Sequence, residues 1–177
     1  MLNEWISAER LVLRRPEAAD LPTLFERYAA DPEVTRYLSW HTHRSLEDTQ
    51  AFLRFSDAAW AAWGAGPLLI EEKETGRVLG STGIDVQCST RVSTGYVLAR
   101  DAWDRGFASE ALEAVLAALA GTTVWRVEAV CHPEHRPSER VLEKAHFERE
   151  GTLRRHTVFP NLAPEPQDVV MFSRILW

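Results

Sequence analysis

Trp103 to Ala120 reads WDRGFASEALEAVLAALA, a glycine-containing turn that runs straight into an amphipathic helix. Leu112, Val115, Leu116 and Leu119 recur at i, i+3, i+4 and i+7 and so build one apolar face, with Glu110 and Glu113 off it. Gly121 supplies the stop. At the front end Gly106, Ala108 and Ser109 carry little bulk, so a ligand can approach the first-turn N–H groups, which have no partner inside a helix. Those groups and the helix dipole favour a phosphate, although glycine before a helix also serves as an ordinary turn. Upstream, Ser93 to Ala99 (STGYVLA) reads as a strand, so the local order is strand, tight turn, anion-receptive helix.

Working outward from this unit, Arg10 to Arg15 (RLVLRR) reads as a first strand, and Asp20 caps a helix over Leu21 to Ala30 with Pro22 in its first turn. Asp31 and Pro32 break that helix, a short helical turn follows through Tyr37, and Ser39 to Arg44 (SWHTHR) is a loop. Ser45 and Asp48 form a capping box for a second helix carrying Phe52, Phe55, Ala59 and Trp63 at helical spacing. Leu68 to Lys73 and Val78 to Val86 read as strands joined by a hairpin turn at Glu74 to Arg77. Behind the central helix come a strand over Arg126 to Cys131, a short helix opened by Pro137 through Lys144, a strand over Phe147 to Leu153, and a closing strand over Asp168 to Leu176. Pro160, Pro164 and Pro166 make Val158 to Pro166 a loop. This order implies a mixed α/β sheet with antiparallel hairpins in front and a crossover behind.

The 177 residues fit one domain, expected to span 1–177, with no internal repeat. A balance of 20 Lys+Arg against 26 Asp+Glu, net −6, argues against nonspecific nucleic-acid binding and suits a cationic substrate. Cys88 and Cys131 show neither CxxC spacing nor a disulfide framework, and no signal peptide or membrane span is legible, so a cytoplasmic protein without a membrane partner is expected. There is no phosphate-binding GxxxxGK loop, no GxSxG elbow and no HExxH. Cys131, His132 and His135 lack the second ligand pair that a zinc site recruits, so no metal is expected.

The segments ERLVLRRPEAADLPTLFE, ADPEVTRYLSW, SLEDTQAFL, ETGRVLGSTGI, GYVLARDAWDRGFASEAL, RVEAVCHPEHRPSERVLEKAHFEREGTLR and QDVVMFSRIL, in this order and spacing, resemble the GNAT-superfamily N-acetyltransferases of the RimJ/RimL type, the ribosomal-protein-alanine N-acetyltransferase-like branch. The resemblance covers nearly the whole chain. It implies a mostly antiparallel sheet of about seven strands, splayed between the fourth and fifth, and flanked by about four helices. It also implies acetyl-CoA as acyl donor, a primary amine as acceptor (a small molecule or a peptide N-terminus), direct attack in a ternary complex, and pairing into homodimers. On this resemblance Trp103 to Ala108 occupies the pyrophosphate loop, Q/R-x-x-G-x-G/A, with Gly106 and Ala108 matching and Arg105, Phe107 and Ser109 alongside. Asp104 stands where many relatives have glycine. It puts a carboxylate near the diphosphate unless Arg105 neutralises it or it turns outward. The backbone of Val97 and Leu98 is expected to hold the pantetheine amides as a pseudo-strand. His132 to Arg140 (HPEHRPSER) resembles HPEN-x-x-S, so Ser138 is expected at the CoA sulfur, with His135 replacing asparagine beside the pantetheine arm.

Acetyl transfer needs a neutral amine, whereas a lysine-type amine has a pKa of about 10.4, so a base or a water chain must take its proton. The glutamate that the family often places before GYxL is absent, and Ser93 stands in that stretch. An even hairpin register would put Asp85 opposite Ser93, which makes Asp85 a candidate base acting through water. His41 and His43 are the other candidates, and Trp40 and Phe159 are expected to wall an acceptor pocket or simply to cap the core. The missing glutamate, Asp104 and His135 also keep a second class open: a catalytically idle acyl-CoA-binding or protein-interaction module on the same fold.

Overall fold

The computed structural model describes residues 2–176. Its strands are β1 (Trp5–Ser7), β2 (Leu11–Arg14), β3 (Pro67–Glu72), β4 (Val78–Cys88), β5 (Arg91–Leu98), β6 (Arg126–Cys131), β7 (Glu148–Val158) and β8 (Pro166–Ile175), in one sheet ordered β1-β2-β3-β4-β5-β6-β8-β7. The helices are α1 (Leu21–Leu24), α2 (Pro32–Thr35), α3 (Leu46–Trp63), α4 (Phe107–Leu119) and α5 (Arg136–Lys144). Neighbouring strands are antiparallel except β5 and β6, which run parallel and pair only through Arg91–Arg126, Val92–Val127 and Ser93–Glu128. Beyond Ser93 the two strands part. Thr94 to Leu98 therefore have no β6 partner, and the sheet opens into a V. The short strand β1, unread in the sequence, raises the count to eight and moves the split to the fifth and sixth strands in chain order.

Alternation along the strands divides the core between two sheet faces. Leu68, Ile70 and Leu79 pack with α4, whereas Leu69 and Val78 pack with Leu24, Tyr28 and Leu53 from the helices before β3. The α4 stripe read from sequence is the stripe that is buried: Leu112, Val115, Leu116 and Leu119 are all nearly inaccessible. At about 1.5–3 kcal/mol for each buried Leu or Val, this stripe fixes α4 against the sheet and thereby fixes where its N-terminus points.

Four local expectations change. The helix expected over Leu21 to Ala30 winds into a π segment at Phe25–Ala29, with Ala30 N–H reaching Phe25 O at 3.1 Å; the wider turn buries Tyr28 and Ala29 together. On α3 the buried positions are Thr49, Leu53, Ser56 and Trp60, whereas Phe55 and Trp63 are 55% and 57% exposed. Two polar contacts set that rotation: Trp60 Nε1 donates to Pro67 O at 2.9 Å, and Thr49 Oγ1 meets His43 Nδ1 at 2.9 Å. Strand β7 runs on past Leu153 to Val158. A bulge absorbs the extra residues there, with Arg155 at φ 48° and its N–H on Asp168 Oδ1 at 2.9 Å. Pro166 then opens β8 opposite Val158, and the other two prolines stay in the connecting loop.

The far edge of the sheet carries a charge clamp. Arg126 on β6 reaches across β8 to Glu150 on β7 at 2.5 and 2.7 Å, and Ser173 on β8 donates to the same carboxylate at 2.6 Å. Arg126, then Ser173, hold the Glu150 carboxyl at about 2, down from 4.5. A depressed carboxyl stabilises the fold fully above its unfolded value and loses that contribution as pH falls toward the folded one. Glu150→Gln is thus expected to flatten the loss of stability between about pH 4.5 and pH 2, read by urea unfolding across that range. An unchanged slope would contradict the clamp.

Candidate active site

One cleft of about 440 Å³ lies at the open end of the V, lined from β5, the Trp103–Ser109 turn, α2 and α5. Antiparallel alternation decides which backbone groups of β5 face it. Ala99 N–H bonds Leu79 O on β4 at 2.7 Å, so Val97, two residues back, also turns its N–H and C=O toward β4, while Tyr96 and Leu98 turn theirs toward the gap. Of the two residues expected to present backbone to a pantetheine arm, Leu98 alone does so. Its carbonyl already accepts the Trp103 indole N–H at 2.8 Å.

The turn before α4 uses two left-handed residues, Asp104 at φ 56° and Gly106 at φ 80°. Glu110 N–H makes the first helical bond, to Gly106 O at 3.1 Å, so the N–H groups of Phe107, Ala108 and Ser109 have no intrahelical acceptor. All three residues line the cleft with Gly106, Trp103 and Asp104. Arg105 does not line it. Its guanidinium pairs with Glu72 at 3.1 Å and lies 4.6 Å from the Phe107 ring centroid, on the outer side of the turn. Arg105 therefore leaves Asp104 unneutralised, against one of the sequence expectations, because the partly exposed guanidinium finds the buried carboxylate of Glu72 instead.

On the opposite wall His135 is the N-cap of α5 and Ser138 the third residue of its first turn. His135 stacks on Tyr37 with ring centroids 4.7 Å apart, and burial, followed by the neighbouring His132, pushes its imidazole below the ordinary range. His132 spends both nitrogens structurally: Nδ1 accepts Glu134 N–H at 3.2 Å, which leaves Nε2 to donate to Gln167 Oε1 at 3.0 Å. Tyr96 reaches from β5 to Ser138, its hydroxyl 2.9 Å from both Ser138 O and Ser138 Oγ. Sequence reasoning had no role for Tyr96 or Tyr37, nor for Arg140 and Lys144, an i, i+4 pair on α5 that lines the same cleft. The helical spacing of the last two was the one signal available.

The remaining candidates fall outside this cleft. Trp40 and His43 pack with ring centroids 4.9 Å apart, and burial lowers the His43 imidazole; its Nδ1 is committed to Thr49, and His41 is exposed. Phe159 is buried edge-on against His132 at 5.2 Å. The two loops are tied by Asn161, whose Nδ2 donates to Thr35 O at 2.7 Å and Trp40 O at 2.8 Å while Oδ1 accepts Thr42 N–H at 3.0 Å. Asp85 faces Ser93 across β4 and β5 in the expected register. It is exposed at the closed end of the V, where Gln87 Nε2 donates to it at 2.7 Å; Ser93 sits between it and Glu128 of β6. Burial pushes the Cys131 thiol up to about 12, so it is not a nucleophile. Among the described residues no group of three His, Cys, Asp or Glu converges as a metal site, and no helix is long and apolar enough to cross a membrane.

Residues 10–148 match the family model for the acetyltransferase (GNAT) domain. An uncharacterized N-acetyltransferase, p20, of Bacillus licheniformis is 32% identical over 154 residues, covering 85% of this chain and 86% of its own. The crystal structure of a GNAT-family acetyltransferase from Bacillus anthracis superposes with a TM-score of 0.83 at 26% identity, covering 97% of this chain and 98% of the other. RimL, a ribosomal L7/L12 alpha-N-protein acetyltransferase solved with coenzyme A, shares the fold with a TM-score of 0.86 at 22% identity over 98% of both chains.

Proposed function

The chain belongs to the acetyltransferase (GNAT) domain family and is an acetyl-CoA-dependent acetyltransferase, and we propose that it transfers the acetyl group to a primary amine by direct attack in a ternary complex. The observation that carries this reading is the convergence of three features on one cleft: the gap-facing backbone of Leu98, the unpaired N–H groups of Phe107, Ala108 and Ser109, and the Ser138 hydroxyl. A diphosphate fits the helix start, where backbone donors and the α4 dipole favour anions without any metal. An extended amide-bearing arm fits the strand edge. Ser138, in the first turn of α5, is the hydroxyl assigned to the sulfur, where the helix dipole favours the departing thiolate. The amine's proton is assigned to a chain of water leading out of the cleft to Asp85, which is exposed at the closed end of the V. The acceptor is assigned to the side bordered by the Trp40 and Phe159 loops, which Asn161 holds together.

Release of free CoA thiol from acetyl-CoA, measured against a panel of amines and N-terminal peptides, tests this. Saturable turnover with one class of amine, lowered by Ser138→Ala and with its pH profile shifted by Asp85→Asn, is the expected result. An unshifted profile removes Asp85 from the scheme. Tight CoA binding with no amine raising turnover above background favours the idle binding module instead.

A further inference from the structure

The contact between Tyr96 and Ser138 joins residues 42 apart in sequence across the cleft, and its geometry restricts where two protons sit. A carbonyl oxygen accepts only, and a phenol has one hydrogen. With Tyr96 Oη 2.9 Å from both oxygens of Ser138, two arrangements are available. In the first, Tyr96 donates to Ser138 O, and Ser138 Oγ–H donates back to Tyr96, so the serine proton is turned away from the cleft. In the second, Tyr96 donates to Ser138 Oγ, which frees the serine proton to point into the cleft. The second leaves Ser138 O with its α-helical partner alone, and a carbonyl so bonded is still satisfied.

We infer that Tyr96 is a positioning residue for the acyl transfer, a switchable donor that turns from Ser138 O to Ser138 Oγ as Ser138 turns its own hydrogen onto the departing sulfur. The inference rests on the proposed acetyltransferase site and on Ser138 meeting the sulfur there. In the transfer the amine nitrogen bonds the acetyl carbon, the carbon–sulfur bond breaks, sulfur keeps the electron pair, and the surplus proton of the amine leaves to water. Ser138 donates a hydrogen bond to that new charge, Tyr96 donates one to Ser138 Oγ, and neither hydroxyl loses its proton. Burial, opposed by the bond to Ser138, holds the Tyr96 phenol above its ordinary range, which disfavours a tyrosinate and keeps the phenol a donor. Chained donors polarise one another, so the serine hydrogen bond to sulfur is stronger with Tyr96 behind it.

Titration of the thiol of bound CoA, followed by thiolate ultraviolet absorbance, reads this without any acceptor. Calorimetry on the same samples gives the CoA affinity. Tyr96→Phe is expected to leave CoA affinity within about threefold and to make the bound thiol about tenfold less acidic, because the serine that bonds the sulfur loses the donor behind it. In a Ser138→Ala background, Tyr96→Phe is expected to change nothing further, because its route to the sulfur is already gone. A bound-thiol titration indifferent to Tyr96→Phe overturns the inference, and so does an effect of equal size in the Ser138→Ala background. Should Tyr96→Phe fail to fold, a fluorinated tyrosine at position 96 keeps the shape and acidifies the phenol. It is then expected to make the bound thiol more acidic, and no change there is likewise fatal. If the parent protein binds no CoA, the failure is that of the proposed function itself.

Discussion

Gly80→Ala is expected to lower the unfolding free energy by about 3 kcal/mol, at the upper end of what overpacking costs, and to weaken donor binding with it. A Cβ at position 80 would stand 1.9 Å from Val97 O and 2.9 Å from Leu98 Cα. Those are backbone atoms of β5, so no rotamer relieves the clash. Strand β5 itself must move away from β4, and the direction open to it is the gap where Thr94 to Leu98 lack a β6 partner. The substitution therefore pushes the one strand edge facing the cleft into the space a pantetheine arm would use. Denaturant unfolding and CoA calorimetry on the same variant check both effects. Gly95→Ala is the control: it lies in the same strand pair, opposite Gly83, but a Cβ there meets nothing within 4 Å. An equal midpoint for the two variants would mean that β4 and β5 do not approach as closely as described.

What the sequence disclosed and what it hid follow from the range of the forces involved. The α4 stripe, the Ser45 capping box, β6 and the Asp85–Ser93 register are settled within a turn or a hairpin, and each is found as read. The buried face of α3 was not legible, because apolar periodicity ranked Phe55 and Trp63 above Thr49 and Ser56. The actual face is chosen by Trp60 reaching Pro67 O and Thr49 reaching His43, contacts that composition does not reveal. Arg105 shows the same limit at the candidate site. Beside Asp104 in sequence, it looks like that residue's counter-charge, yet the fold brings Glu72 from β3 within 3.1 Å, and the guanidinium goes there. Tyr96 carries no signal of its own in the GYVL stretch, since its partner Ser138 arrives from the far side of the V.

Asp104 is where the departure from the family pattern has its largest consequence, and Asp104→Gly is expected to tighten CoA binding roughly ten- to a hundredfold while also stabilising the fold by about 1 kcal/mol. Two separate costs meet at this residue. The first is conformational: at φ 56° it occupies the left-handed region, which strains a residue bearing a Cβ and which glycine adopts freely. The second is electrostatic: the exposed residue lines the cleft, no salt bridge to it is found among the described residues, and Arg105 is spent on Glu72. At about 5 Å, across the range between water and a partly screened protein surface, each phosphate charge meeting that carboxylate costs about 1–3 kcal/mol. Asp104→Asn separates the two contributions, because asparagine keeps the side-chain size, tolerates the left-handed region and removes the charge. It should recover most of the affinity and little of the stability, and Gly should recover both. The electrostatic share should also shrink in salt, since the Debye length falls from about 10 Å at 0.1 M to about 3 Å at 1 M. Calorimetric CoA affinities for the parent, Asn and Gly variants at those two salt concentrations decide the matter. Equal affinities at low salt would mean that the diphosphate does not sit at the start of α4, and the donor site would have to be sought elsewhere along the cleft.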